Sequence, residues 1–285
     1  MNDLAGALRS QVDRVAKMNG LDPAADLLDR LVRARLGSTT TKNALSGVWL
    51  GHRLHPLLTD VAIGSFLGAE FVDLLAPKQH RVGRRLIAAG ILASVPTVAS
   101  GLSDWLDTYG EPRRIGFVHA AGNGFALGCF TRSFLARGKH RGGKGRGGKL
   151  SSFAGLAVLS VTGYLGGHLA YGLGVGVDQP RPRIEEWSDV CAVASLEESG
   201  HAVGKVGEVE VLVIRDETGL QAIDNRCSHA GFALGDGSFE QGCVTCPGHG
   251  SIFETKDGTV VRGPATWNQA TYEVRVRQGR VEVRS

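Results

Sequence analysis

Residues 227–254, CSHAGFALGDGSFEQGCVTCPGHGSIFE, hold three cysteines and two histidines in fewer than thirty positions. Cys227-Ser228-His229 is a Cys-x-His pair and Cys246-Pro247-Gly248-His249 a Cys-x-x-His pair, with sixteen residues between them. Each pair sets one thiolate and one imidazole on a short loop, where both can turn toward a common point. Three chemistries use such residues. A disulfide framework needs an oxidising compartment and paired cysteines, whereas the chain has five in all: Cys129, Cys191, Cys227, Cys243 and Cys246. Zinc accepts two thiolates and two imidazoles. Zinc-finger loops, however, usually pair Cys with Cys and His with His, and here each loop is mixed. A mixed loop suits a two-iron cluster that it touches at both metals, with the cysteines on one iron and the histidines, through neutral ring nitrogens, on the other.

The stretch resembles the Rieske [2Fe–2S] family, whose pattern is C-x-H-x-G-x-x-L, then C-P-x-H-G-x-x-F, then an acidic or Gly turn and Pro-Ala. The matching residues are Cys227, His229, Gly231 and Leu234, then Cys246, Pro247, His249, Gly250 and Phe253, then Asp257-Gly258 and Pro264-Ala265. The resemblance covers roughly residues 183–285. It implies a [2Fe–2S] cluster bound by Cys227, His229, Cys246 and His249 at the tip of one of two small sheets. Quinol-oxidising members carry an extra bridging cysteine in each loop; here Phe232 and Gly248 stand at those places, so no bridge is expected. Those members also donate hydrogen bonds to cluster sulfurs from a Ser and a Tyr. Ser251 matches the Ser, but Phe253 replaces the Tyr and has no donor. Donors to sulfur stabilise the reduced cluster, so the expected potential lies between soluble Rieske ferredoxins and respiratory Rieske proteins. If His229 and His249 are exposed, their ring N–H groups should also make that potential fall as pH rises.

The flanking sequence agrees independently. EVEVLVI (208–214), TYEVRVR (271–277) and GRVEVR (279–284) alternate or run apolar between Gly and Asp turns, as strands do. An all-β domain over 183–285 is predicted, with Cys191 and Cys243 as ordinary buried cysteines.

Upstream, the 285 residues leave room for a second domain. The net charge of +4 has no long single-sign tail or aromatic-interleaved basic patch, which argues against nucleic acid as a partner. Residues 1–20 contain Asp3, Arg9, Asp13, Arg14 and Lys17 and read as no ordinary signal peptide. Residues 1–46 are read as an amphipathic helical segment and linker. Asp22-Pro23 opens a helix with a stripe of Leu27, Leu28, Leu31 and Val32, Gly37 stops it, and GSTTTKNALSG (37–47) is the linker. Four long apolar stretches follow, at 57–76, 86–103, 115–131 and 150–177; the first is interrupted by Asp60, Glu70 and Asp73. About twenty apolar residues span a bilayer, so residues 47–178 are predicted to form an all-α transmembrane domain of four helices in the cell membrane.

Four histidines fall on one side of that bundle. His52 and His55 lie just before its first helix, His119 near the start of the third and His168 near the end of the fourth. Ionisable groups inside a membrane suggest function by default. These four are candidate haem b ligands or proton acceptors for a quinol, against the plainer reading of hydrogen-bonded packing residues. The region resembles the membrane proteins of domain of unknown function 2231 through GHRLHPLLTDVAIGSFLGAEFVDLL (51–75), GLSDW (101–105), His119 with Asn123, and GYLGGHLAYGLGVGV (163–177). That family brings no established activity. Ten Lys and Arg near the spans lie on the side away from the Rieske region against six on its own side, which favours an extracytoplasmic Rieske region. The absence of a twin-arginine signal points the other way.

The functional reading is an electron carrier between a membrane donor, quinol or haem, and a redox partner protein. The alternatives are an electron-supplying component of a multi-subunit Rieske oxygenase, or a redox sensor. No complete site for substrate turnover is present in the sequence: a mononuclear 2-His-1-carboxylate iron would need a separate subunit.

Overall fold

The computed structural model describes residues 2–139, 146–177, 183–217 and 219–285. The middle of the basic loop predicted at 136–149 and the junction around Asp178 lie outside them. Packing divides the chain into two units, Met1–Gly37 with Leu54–Val175, and Ser38–Arg53 with Gly176–Ser285. The second unit thus takes a segment, residues 38–53, that the sequence assigns partly to a linker and partly to the predicted four-helix membrane domain.

Eight α-helices are present among the described residues. In chain order the first seven are α1 (Asn2–Ala16), α2 (Asp22–Leu36), α3 (Thr39–Ser46), α4 (Leu54–Leu75), α5 (His80–Trp105), α6 (Gly110–Lys139) and α7 (Arg146–Gly167). A π turn, His168–Gly172, extends α7. The long helices α4 to α7 occupy the four apolar stretches, but the first unit is not a four-helix domain, because α1 and α2 are packed into it. Val12 and Ala16 of α1 are buried with Ile115 and Leu165, and Ala25 and Val32 of α2 with Trp105 and Leu106. Charge fixes α2 there: Arg114 Nε donates to Asp22 at 2.7 Å, and Arg113 reaches Asp26 at 2.8 Å and Asp29 at 3.3 Å. Leu27 and Leu31, read as part of one apolar stripe, stay exposed while Leu28 and Val32 face the core.

Small residues set the spacing among α4 to α7. Phe66 of α4 stacks on Phe130 of α6 with ring centroids 3.8 Å apart, and a Cβ at Gly90 of α5 would stand 2.5 Å from the Phe66 ring. Among the described residues, two helical segments, His80–Trp105 and Gly147–Gly172, are long and apolar enough by composition to cross a membrane. In α4, Glu70 and Asp73 are buried. Asp73 receives a bidentate pair from Arg137 of α6, at 2.9 and 2.5 Å, and Lys149 of α7 approaches it at 3.5 Å.

The linker expectation fails for a local reason. Ser38 accepts a hydrogen bond from the Thr41 amide through its side chain, and Gly47 ends the turn run at φ 88°. These are helix start and stop signals, and they make residues 39–46 helical despite three consecutive threonines and little apolar periodicity.

The rest of the second unit is β-rich. The strands are β1 (Ser188–Ala192), β2 (His201–Val206), β3 (Val209–Asp216), β4 (Gly219–Asp224), β5 (Ser238–Glu240), β6 (Cys243–Thr245), β7 (Ile252–Glu254), β8 (Val260–Arg262), β9 (Thr271–Arg277) and β10 (Arg280–Arg284). The short helix α8 (Ser195–Ser199) joins β1 to β2. Six strands form one sheet in the order β1-β10-β9-β4-β3-β2, and four form another, β5-β6-β7-β8. Alternation in β3 serves two cores at once. Val209, Val211 and Val213 face one cluster with Val281 and Val283, whereas Leu212 and Ile214 face a second with Leu234, Val244 and Phe253. That second core includes Cys227 and Cys246.

The Asp73–Arg137 pair is a direct test of the helical packing. Breaking a buried pair by removing one charge costs about 3–5 kcal/mol, while replacing both partners with apolar groups is often near neutral. Asp73→Asn should therefore lower the thermal unfolding midpoint of the purified chain markedly, and adding Arg137→Met should restore much of the loss. Equal midpoints for Asp73→Asn and the unsubstituted chain would show the pair to be without structural weight.

Candidate metal centre

The two Cys/His loops share one backbone plan. In the first, the Cys227 amide donates to Phe232 O and the Gly231 amide returns to Cys227 O, each at 2.8 Å. In the second, the Cys246 amide donates to Ser251 O at 2.8 Å and the Gly250 amide to Cys246 O at 3.0 Å. The fourth residue after each cysteine must turn left-handed to close this loop, and both are glycine, Gly231 at φ 76° and Gly250 at φ 71°. Congruent loops rising from the same small core bring like atoms together. Cys227 and Cys246 are buried in the same core, near enough to shift each other's pKa, and His229 Nδ1 stands 3.2 Å from His249 Nδ1 with the rings edge to face.

Sulfur meets sulfur and nitrogen meets nitrogen. Among the described residues no three His, Cys, Asp or Glu side chains converge on a single ion. The four donors form two separate pairs, which fits two irons better than one tetrahedral zinc. The five cysteines are all free in this structure. Phe232 and Gly248, at the places of the absent bridging cysteines, are in contact: a Cβ at Gly248 would lie 2.6 Å from the Phe232 ring.

Electrostatics suit the same donors to metal. The hydrogen bond from Cys227, with further ones from the Gly248 and His249 amides, lowers the Cys246 thiol to about 6 against the penalty of burial. Its partner Cys227 is pushed up by that shared bond and by burial. Burial lowers His229 to about 2, with Arg53, His249 and Lys42 adding to the shift. His249 is lowered by burial and by Lys42 and Arg53. Both imidazoles therefore stay neutral at ordinary pH, the state in which a ring nitrogen can bind iron.

A third stretch, residues 263–269, clamps both loops. Gln269 accepts from the Ser228 amide at 3.0 Å and donates from Nε2 to Asp224 O and Arg226 O, each at 2.6 Å. The Ser228 hydroxyl donates to Trp267 O at 2.8 Å. On the other loop, Ser251 Oγ accepts from the Ala265 amide at 3.0 Å, leaving its own hydroxyl hydrogen to donate elsewhere. Phe253 is fully buried in the core that holds the two cysteines. Sequence reading noted Pro264-Ala265 but not Trp267 or Gln269, whose role arises only from long-range backbone contacts.

Residues 38–53 also reach this region. Asn43 Oδ1 accepts from the Gly263 amide at 2.9 Å and its Nδ2 donates to Val261 O at 3.2 Å. Val48 packs against the core that holds the cysteines, and the His52 ring meets Trp267 edge-on at 5.4 Å. Of the four histidines read as a haem or quinone site, His52 thus belongs to the second unit and lies outside α4, whereas His55 lies within it. His55 Nδ1 faces Thr97 O at 3.0 Å, and its ring fills the space above Gly101. His119 has both nitrogens engaged, Nδ1 with Thr162 O at 2.8 Å and Nε2 as acceptor from Asn123 at 3.0 Å. A ring so bonded offers no lone pair to a haem iron. His168 sits in the π turn, against Gly172.

Family models match the chain in two places, a Rieske [2Fe–2S] domain at residues 186–273 and a predicted membrane protein of domain of unknown function 2231 at 51–179. The ferredoxin subunit of anthranilate 1,2-dioxygenase from Burkholderia cepacia is 31% identical over 100 residues, matching 35% of this chain and 93% of that protein. The ferredoxin component of the alkene monooxygenase system of Xanthobacter autotrophicus is 34% identical over 97 residues, 34% of this chain and 79% of that protein. Among solved structures, the ferredoxin of carbazole 1,9a-dioxygenase from Nocardioides aromaticivorans is 27% identical, covering 35% of this chain and 98% of that one, with a TM-score of 0.33. Through its C-terminal domain the chain belongs to the Rieske family, joined to a domain of the 2231 family; its cofactor there is a [2Fe–2S] cluster and its role is electron transfer.

Proposed function

We propose that the protein is a membrane-anchored Rieske carrier that takes single electrons from a donor in the bilayer, of the quinol class, and passes them to a redox partner protein. What carries this reading is the meeting of two thiols and two imidazoles on congruent loops, in a domain whose relatives are ferredoxins. Cys227 and Cys246 would hold one iron, His229 and His249 the other, with the Ser251 hydroxyl donating to a cluster sulfur. The bound cluster supplies reversible one-electron exchange. The chain contributes a lowered thiol at Cys246, neutral imidazoles and a core that buries both cysteines.

Membrane anchoring is supported by the family match at 51–179 and by the surface of the long helices. Leu92 and Val95 of α5, Phe125 of α6 and Val161 of α7 are each more than 60% exposed. In water such a surface would be costly; in hydrocarbon it is satisfied. The charge bias of the flanking segments favours a Rieske domain outside the cytoplasm. A second reading, an electron-supplying component of a Rieske oxygenase, is favoured by the names of the relatives, which are ferredoxins of dioxygenase and monooxygenase systems. Reduction of the cluster by a quinol analogue in the purified chain separates the two, since an oxygenase ferredoxin would wait for a reductase protein.

Iron and acid-labile sulfide should be present in equal amounts, with a Rieske-type EPR signal on reduction. Cys227→Ser and His249→Ala should each abolish that signal, and zinc without sulfide would sink the assignment of all four ligands. A redox titration should place the midpoint between soluble Rieske ferredoxins and respiratory Rieske proteins, since Ser251 can donate to sulfur and Phe253 cannot; a value among the respiratory proteins would contradict the role given to Phe253. The chain should sediment with membranes, resist high salt and alkaline carbonate, and come off in detergent. Release by salt alone would remove the anchor from the proposal.

A further inference from the structure

Helices α6 and α7 run antiparallel and approach closely along one stretch. A Cβ at Gly155 of α7 would stand 3.1 Å from the Cys129 Cβ and 3.2 Å from Ala126 O, and the Ser151 hydroxyl donates to Cys129 O at 2.9 Å. Beside this contact the two helices leave an open groove of about 470 Å³, lined by Phe125, Gly128, Cys129 and Arg132 of α6 and by Leu150 and Ala154 of α7. The four α6 residues share one helical face, as do the two of α7. Gly128 and Ala154 are too small to fill the space, and a Cβ added at Gly128 would meet nothing within 4 Å. Phe125 and Leu150 flank it, 64% and 73% exposed. Arg132 supplies its charge. Among the described residues its guanidinium donates only to Gly147 O, at a long 3.5 Å, and pairs with no carboxylate. The sequence joining the two helices at that end, ARGKHRGGKGRGGK (136–149), adds six Lys and Arg and no Asp or Glu. Two of the six, Arg137 and Lys149, approach Asp73 of α4, so the balance stays positive.

We propose that this groove binds one anionic phospholipid, with an acyl chain over Gly128 and Ala154 toward Phe125 and the phosphate at Arg132. The proposal rests on the membrane reading above, in which exposed apolar side chains such as Phe125, Leu150 and Val161 face hydrocarbon. A groove opening there takes an occupant that is apolar along most of its length. At the end where Arg132 stands, the occupant must be negative. An acyl chain joined to a phosphate has that form, and the planar fork of an Arg side chain matches phosphate oxygens two at a time. A quinol offers no anion to this cation. The charge bias that favours a Rieske domain outside the cytoplasm sets the Arg132 end on the cytoplasmic face. Basic pockets between membrane helices on that face bind anionic head groups.

The test is native mass spectrometry of the full chain, delipidated in detergent and titrated with phosphatidylglycerol or with phosphatidylcholine of the same acyl chains. One phosphatidylglycerol should be retained in preference to phosphatidylcholine. Arg132→Gln should weaken that retention about fivefold, the worth of one cation near an anionic head group, and Arg132→Lys should keep most of it. Gly128→Leu, which puts a side chain into the open groove, should abolish the preferred site. Equal retention of the two lipids would overturn the proposal, as would retention unchanged in both Arg132→Gln and Gly128→Leu. A short-chain benzoquinone that displaces phosphatidylglycerol and binds Arg132→Gln equally well would also overturn it, by making the groove a site for a neutral ligand. Should Gly128→Leu fail to fold, Arg132→Gln decides alone, since Arg132 is exposed and its thermal midpoint should match that of the unsubstituted chain. Release of the chain from membranes by salt would sink the membrane reading itself, whereas an embedded chain indifferent to lipid charge would sink only this site.

Discussion

Two left-handed glycines govern the second unit. Gly231 and Gly250 each allow the loop four residues after a cysteine to close back on that cysteine's carbonyl. A side chain at either position would strain the turn, and the imidazole one or two residues before it would lose its aim. With both loops closed in the same way, sulfur faces sulfur and imidazole faces imidazole. The separation of donors by type follows from repeating one backbone turn twice on a shared core.

That core explains why the turns can be trusted to hold their geometry. β3 presents valines to one side and Leu212 and Ile214 to the other, so a single strand ties the larger sheet to the core beneath the cluster loops. The stretch 263–269 then fixes the loops from outside through Gln269, Trp267 and Ala265. Each of these contacts satisfies a backbone or hydroxyl group that burial would otherwise leave at a cost. These bonds tie both loops to one stretch of backbone.

The helical unit is organised by different means. Glycines such as Gly90 and Gly101 admit aromatic and imidazole rings between helices, and the Asp73–Arg137 pair is buried where α4 and α6 meet. His119 is absorbed into the same logic, with Thr162 and Asn123 taking both its nitrogens. Histidines that look chemically available along the chain are thus partly spoken for by helix packing. The N-terminal helices add salt bridges from Asp22, Asp26 and Asp29 to Arg113 and Arg114, which no apolar periodicity reveals.

The sequence by itself determined the chemistry of the site and the order of the parts. The mixed Cys/His spacing, the glycines that follow it and the alternating strands around it are local signals, set within a few residues of one another. The long apolar stretches likewise announced α4 to α7, because helix formation there depends on nearby composition. Tertiary structure alone decided what lies against what. The three threonines of 39–41 hid a capped helix, and nothing near Asn43 or His52 in the chain announces Gly263 or Trp267 as their neighbours. Those contacts join residues some two hundred positions apart. They arise from burial and directed hydrogen bonds across the fold, which a spacing rule along one strand of sequence does not encode.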